Sequence, residues 1–309
     1  MTSPGGKSPR KAANDLTTLL RTALGEDRFP VDVEMLAREI SGKQADPITD
    51  IVGVDIPGFD GMLRASRKAP GWQILFNDQS GYPGRDRFTL AHEFGHYMLH
   101  RRPLTDADYS GGQLSGGFDF RCLPLRASNG RDAERVREEE ADTFASYLLM
   151  PIDDYRQQTT GKDMSRSLLS HVTDRYGVSL QAAALKWIEF TGTRSAMVVA
   201  RDGFALWGRA STAAVKSGIL VRSGMEIPEG SIAGGAAATH ANPDRPVDLH
   251  AGIWTFSRGS EAVKELTMFS EGLGISVSLL QFDDAPGGAE VDEEEPWDSY
   301  DQFVSRDRA

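Results

Sequence analysis

Two histidines four residues apart, with a glutamate directly after the first, constrain this chain more than any other feature. They are His92, Glu93 and His96, in the segment FTLAHEFGHYMLH at residues 88–100. Residues at positions i and i+4 of a helix lie one turn apart on the same face, so the two imidazoles can bind one metal ion. Apolar residues recur at helical spacing through the same segment. The segment therefore predicts a metal site on a partly buried helix.

This order of residues is the H-E-x-x-H motif of zinc peptidases, in which the histidines are ligands and the glutamate is the general base. A catalytic Zn²⁺ takes three protein ligands and keeps a fourth position for water. The motif alone leaves open a second interpretation, a core helix whose histidines only form hydrogen bonds. A third ligand elsewhere in the chain would favour the metal site.

A second predicted helix, at residues 131–150, offers the third ligand. Its apolar stripe consists of Ala141, Phe144, Ala145 and Leu148. Glu138 lies on the same side, where a buried carboxylate needs a partner. Glu138 and Asp142 are four residues apart, so one can bind the metal while the other accepts a hydrogen bond from a ligating histidine. Glu140, at the flank of the stripe, is the alternative ligand because three consecutive glutamates blur the register.

His100 also follows the motif, but it is not expected to be a ligand. The metzincin pattern places a third histidine six residues after the second, past a glycine, whereas His100 follows His96 by four with no glycine between them. If the helix continues, His100 lies roughly 12 Å along its axis from His92. One metal ion cannot bind both.

The segments before the motif helix predict a small sheet with helices around it. Two amphipathic helices are predicted at residues 11–24 and 32–41. Three short strands, predicted to form an antiparallel meander, are Ile51–Ile56, Met62–Ser66 and Trp72–Asn77. The free edge of such a sheet can hold an extended peptide as a further strand, and Trp72–Asn77 is the expected edge. Residues 101–130 show little periodicity and predict a long loop.

The chain as a whole predicts an α+β fold with two domains. A disordered leader at residues 1–10 precedes a zincin-like peptidase domain at residues 11–192. Short strands around glycine-rich turns predict a second, smaller α+β or β-rich domain at residues 193–282. Residues 283–309 predict an acidic, disordered tail.

Composition limits the possible classes of function. The tail holds ten acids and two arginines, a net charge of −8 out of −11, so the rest of the chain carries only −3. Helices predicted near residues 165–176 and 180–190 resemble a helix-turn-helix in outline, but the second carries a single lysine, and direct binding of nucleic acid is not expected. Cys122 is the only cysteine, which excludes an intramolecular disulfide and suits the cytoplasm. No signal peptide or membrane-spanning run is expected.

FTLAHEFGHYMLH and the later segment EEEADTFASYLLMP together closely resemble the motifs of the ImmA/IrrE family of zinc endopeptidases. The resemblance covers about residues 30–190. Carried over by motif position, it implies that His92, His96 and Glu138 bind Zn²⁺ and that Glu93 is the catalytic glutamate. It also implies a substrate class, since such peptidases cleave helix-turn-helix repressors and so switch on stress or mobile-element genes.

These observations predict a cytoplasmic zinc endopeptidase whose partner is a protein repressor. The alternative is a peptidase-like zinc-binding module that regulates a partner without cleaving it. A further donor to the oxyanion would assist catalysis, and Tyr97, Tyr147, Tyr155 and His171 are the candidates. The sequence gives no oligomeric state, and neither a membrane nor DNA is an expected partner.

Overall fold

A computed structural model describes residues 8–56, 58–114, 119–122, 131–235, 244–250, 252–254 and 262–283. The chain divides into two compact units. Over the described residues, the first lies within Met1–Gln158 and Val172–Ser179, and the second within Thr159–His171 and Leu180–Asp307. The predicted domain boundary at residue 192 stays a prediction. Most of the predicted leader and tail lies outside the described residues.

The first unit contains helices packed with a four-stranded sheet. Its helices are α1 (Pro9–Leu24), α2 (Val33–Ser41), α3 (Pro83–Leu99), α4 (Arg131–Leu149), α5 (Ile152–Thr159) and the second half of α6 (Arg166–Tyr176). Its strands are β1 (Ile48–Val54), β2 (Gly61–Ala65), β3 (Trp72–Asn77) and β4 (Asp119–Cys122). None of the helices in the described ranges combines the length and the apolar character needed to cross a bilayer.

Local signals explain where the first helices begin. The predicted start of α1 at Lys11 is two residues late, because Ser8 caps the helix by accepting a hydrogen bond from the Lys11 backbone N–H at 3.2 Å. Pro9 then occupies the first turn, where its missing N–H costs nothing. Asp32 caps α2 in the same way, accepting from the Met35 N–H at 2.9 Å.

The order of the strands differs from the predicted meander. The order is β1-β3-β2-β4, with β1 parallel to β3 and the other two pairs antiparallel. The prediction that Trp72–Asn77 is an edge is therefore wrong, since β3 lies between β1 and β2. Strands β1 and β2 are consecutive in the sequence but not adjacent in the sheet, because β3 lies between them. The loop prediction for residues 101–130 is also wrong in part, because β4 pairs with β2 as an edge strand.

The second unit is built on a five-stranded antiparallel sheet. The strand order is β6-β5-β9-β8-β7, and the unit also contains α7 (Leu180–Phe190) and α8 (Thr212–Lys216). Its strands are β5 (Ser195–Arg201), β6 (Phe204–Ala210), β7 (Val247–Leu249), β8 (Val263–Ser270) and β9 (Ile275–Phe282). Alternate side chains of β5 and β9 pack into a buried cluster with Ile219, Val221 and Trp254. Together the two units confirm the predicted fold class, α+β with a β-rich second part.

Candidate metal centre

The two histidines of the motif lie on the buried face of α3. His92 and His96 are 5% and 0% exposed, and their Nε2 atoms are 3.0 Å apart. Their rings meet edge to face, with centroids 4.7 Å apart. The spacing of four residues in an α-helix produces this arrangement, because each imidazole lies one turn from the other.

The close packing of α4 on α3 brings an acid to these histidines. Gly95 makes the approach possible, since a Cβ there would lie 3.1 Å from Phe144 Cδ1 and 3.3 Å from Ala141 Cα. Glu138 Oε2 is 3.3 Å from His92 Nε2, and Glu138 Oε1 is 3.3 Å from His96 Nε2. The structure thus brings together the three residues predicted as metal ligands.

The spacing of these atoms fits a tetrahedral zinc site. Ligand atoms of His92, His96 and Glu138 all lie within 4.8 Å of one another. Metal–ligand bonds of about 2.0–2.1 Å at a tetrahedral angle would hold the ligand atoms ~3.3 Å apart. The two histidine Nε2 atoms are 3.0 Å apart, and each lies 3.3 Å from a different oxygen of the Glu138 carboxylate. Two imidazoles and one carboxylate are also a donor set of catalytic zinc, which leaves one position open.

The protonation states suit metal binding. Burial lowers the pKa of His96 to about 4, so its imidazole is neutral at pH 7 and carries a lone pair for a metal. Burial opposes ionisation of Glu138, but its hydrogen bonds with His92 and His96 outweigh this and hold the pKa of its carboxyl well below its usual range. Neutral imidazoles beside a carboxylate are the forms that bind a cation.

Glu93, the predicted general base, is fully buried beside the histidines. Strand β2 passes directly over its carboxylate. A Cβ at Gly61, the first residue of β2, would lie 2.4 Å from Glu93 Oε1 and 2.8 Å from Thr89 Cγ2. A glycine at this position therefore leaves the space that Glu93 occupies.

Each histidine also contacts a polar group through its second ring nitrogen. His92 Nδ1 is 2.7 Å from Asp142 Oδ1. Asp142 is the residue predicted to accept a hydrogen bond from a ligating histidine. His96 Nδ1 is 2.9 Å from His100 Nδ1, and His100 Nε2 is 3.0 Å from Glu140 Oε2. Glu140, the alternative ligand, thus contacts His100 and is not part of the cluster that could hold a metal ion.

The three consecutive glutamates make different contacts. Glu138 faces the histidines and Glu140 contacts His100, whereas Glu139 is half exposed and pairs with Arg135 one turn earlier in α4. Sequence reasoning missed the contacts of His100 and Gly61. The i, i+4 spacing of His96 and His100 could have indicated the first, but nothing in the sequence indicates the second.

Contacts in the structure bear on the oxyanion candidates Tyr97, Tyr147 and Tyr155. Tyr155 stacks on Tyr176 with ring centroids 6.1 Å apart, and the Arg10 guanidinium lies 5.3 Å from the ring centroid of Tyr147. The Tyr97 hydroxyl donates a hydrogen bond to the backbone carbonyl oxygen of Asp46 at 3.2 Å. Burial raises the pKa of Tyr97 to about 12. The Tyr97 hydroxyl is therefore already engaged with Asp46, and the roles of Tyr147, Tyr155 and His171 stay predictions.

A helix bearing H-E-x-x-H and a second helix supplying a glutamate define a zincin-like metal site. Consistent with this class, residues 54–187 match the Peptidase_M78 family, described as the IrrE N-terminal-like domain. The match confirms the resemblance to the ImmA/IrrE family of metal-dependent peptidases that was drawn from the two motifs. A search of curated proteins found no match.

Proposed function

We propose that the protein is a zinc-dependent endopeptidase that hydrolyses a peptide bond in a protein substrate. The observation that carries the proposal is the convergence of His92, His96 and Glu138 within 4.8 Å beside the buried Glu93. Such a site would place an acid–base residue next to the fourth position of the metal. A site that only stabilised the fold would have no use for that acid.

In the proposed reaction, the side chains around the metal have different roles. A bound zinc ion would lower the pKa of a water to about 7 and polarise the scissile carbonyl. Glu93 removes the proton of the attacking water as the new C–O bond forms, and it then delivers that proton to the leaving amine as the amide C–N bond breaks. Asp142 keeps the proton of His92 on Nδ1, which directs Nε2 towards the metal.

The proposed substrate is a helix-turn-helix transcriptional repressor, whose cleavage would relieve repression of stress or mobile-element genes. The family resemblance supports this substrate class. A cytoplasmic repressor also agrees with a chain that has a single cysteine. The alternative proposal is a zinc-binding module that regulates a partner by holding it.

Replacement of Glu93 by Gln tests both proposals. We expect the Glu93→Gln protein to retain zinc and lose at least about 10²-fold in cleavage rate, because the amide cannot accept the proton of the attacking water. New protein amino termini would be mapped in cells that express either form. A new terminus inside a helix-turn-helix repressor should appear with the wild-type protein alone. Equal de-repression by both forms would contradict the peptidase proposal and favour the binding module.

A further inference from the structure

Three polar side chains form a continuous chain behind the candidate metal centre. Glu140 Oε2 lies 3.0 Å from His100 Nε2, and His100 Nδ1 lies 2.9 Å from His96 Nδ1. The side chains of His96 and His100 are 1% and 5% exposed. The Glu140 side chain is 28% exposed. The contact between the two histidines is therefore the better shielded of the two, and hydrogen bonds are stronger away from bulk water.

The end of α3 holds His100 in this position. His100 is the C-terminal cap of the helix, and its backbone N–H donates to the His96 carbonyl oxygen at 2.9 Å. The rings of His96 and His100 lie with centroids 5.0 Å apart. Both the backbone and the side chain of His100 thus contact His96.

The two distances permit a single assignment of protons once His96 binds a metal through Nε2. The remaining nitrogen of a neutral ligating His96, Nδ1, then carries the proton and donates. His100 Nδ1 must be the acceptor of that hydrogen bond. The His100 proton is then on Nε2, where it donates to the Glu140 carboxylate. In this assignment, each N–H of the His96–His100–Glu140 series faces an acceptor.

His92 contacts a carboxylate directly, because Asp142 Oδ1 lies 2.7 Å from its Nδ1. Carboxylates behind ligating histidines fix the tautomer and orientation of the ring. His96 does not contact its carboxylate directly. Its Nδ1 contacts His100, and His100 in turn contacts the Glu140 carboxylate.

We infer that His100 and Glu140 are positioning residues that hold His96 as an Nε2 metal ligand through the contact of the two histidine Nδ1 atoms. The inference rests on the proposed metal centre. It assigns the third histidine of FTLAHEFGHYMLH and the third glutamate of the acidic run to one structural task.

Zinc affinity of three variants tests the inference. His100→Phe keeps a planar ring but offers no acceptor, and we expect its zinc dissociation constant to rise about 10- to 100-fold. His100→Asn places an amide oxygen near the site of Nδ1 and should recover most of the affinity. Glu139→Gln changes the neighbouring, half-exposed acid and should match the wild type. Competition with a zinc chelator gives the dissociation constants.

A second measurement on the wild-type protein does not depend on how the variants fold. Nitrogen-15 NMR of the zinc-loaded protein reports which ring nitrogens carry protons, and we expect the proton of His100 on Nε2 and that of His96 on Nδ1. A proton on His100 Nδ1, or equal zinc affinity in His100→Phe and wild type, would overturn the inference. Failure of the wild-type protein to bind zinc would instead overturn the proposed function.

Discussion

At the scale of single residues, Gly61 shows how a missing side chain shapes the site. The Glu93 carboxylate occupies the space where a Cβ of residue 61 would stand, at 2.4 Å from Oε1. Real Cβ atoms do not approach so closely, so any larger residue must displace either the carboxylate or the strand. Either displacement changes the position of the proposed base relative to β2, because Glu93 is fully buried beneath that strand.

Gly61→Ala should therefore lower the cleavage rate without removing the metal. A shift of the base by about 1 Å can cost roughly 10²-fold in rate, whereas His92, His96 and Glu138 keep their positions. Hydrolysis of the proposed repressor substrate and zinc content would both be measured in the wild-type and Gly61→Ala proteins. Gly192→Ala is the matched control, because a Cβ there meets nothing within 4 Å. Full activity in Gly61→Ala would contradict this explanation of the glycine.

The positions of single residues could be predicted only where the local sequence determines them. His92 and His96 share a helix face whatever surrounds them, and the apolar stripe of α4 places Glu138 on the inward side. His100 was excluded as a ligand by distance along the helix, but its contact with Glu140 depends on where α4 lies. The role of Gly61 depends on a strand that crosses a helix, which no local pattern encodes.

At the scale of elements, one buried acid ties α5 to α6 in the first unit. Asp154 is 2% exposed and accepts two hydrogen bonds from Arg175, each of 2.7 Å, and one from the Tyr176 hydroxyl at 2.6 Å. Burial opposes ionisation of Asp154, but the hydrogen bonds and the charge of Arg175 outweigh it and lower its pKa. The carboxylate therefore stays ionised between the two helices.

Asp154→Ala should destabilise the protein by about 1–3 kcal/mol, because the buried hydroxyl of Tyr176 loses its acceptor, whereas Arg175 keeps its contact with Glu26 at 2.7 Å. Urea denaturation measures the free energy of unfolding. Asp174→Ala removes an exposed acid next to Arg175 and should change that free energy by no more than about 0.5 kcal/mol. Similar values for the two variants would show that the buried contacts contribute little.

The elements themselves were predicted unequally well. The helices α3 and α4 were predicted because their apolar residues recur at helical spacing and Pro151 follows the second. Strand β3 was predicted with the observed bounds, Trp72–Asn77, but not its central place in the sheet. Pairing partners are set by contacts distant in sequence, and the parallel pair β1–β3 leaves no signal in either strand. For the same reason β4 was not recognised within a segment of weak periodicity.

At the scale of the whole molecule, the second unit has a polar group at its centre that the sequence did not reveal. Glu265 in β8 is 0% exposed. Its carboxylate accepts hydrogen bonds from the backbone N–H groups of Ile232 and Ala233, from Trp254 Nε1 and from the Thr267 hydroxyl. The Glu265 side chain thus connects β8 to the segment of Ile232 and Ala233 and to the segment of Trp254.

Glu265→Gln should destabilise the second unit by at least about 2 kcal/mol. The amide replaces one acceptor oxygen by a donor group, so buried donors lose their partner, at about 1–3 kcal/mol each. Thermal unfolding followed by circular dichroism measures the loss. Glu229→Gln, an exposed change in the same region, should leave the transition in place. An unchanged transition in Glu265→Gln would mean that the carboxylate does not organise this unit.

The central claim is that two helices of the first unit form a three-ligand metal site with one position left for water. Zinc content after purification tests it most directly, in the wild-type protein and in Glu138→Ala and Glu139→Ala. We expect about one zinc per chain in the wild type and in Glu139→Ala, and a loss of most zinc in Glu138→Ala, because Glu138 lies 3.3 Å from His92 and from His96 whereas Glu139 pairs with Arg135. Full zinc content in Glu138→Ala, or its loss in Glu139→Ala, would contradict the site described above.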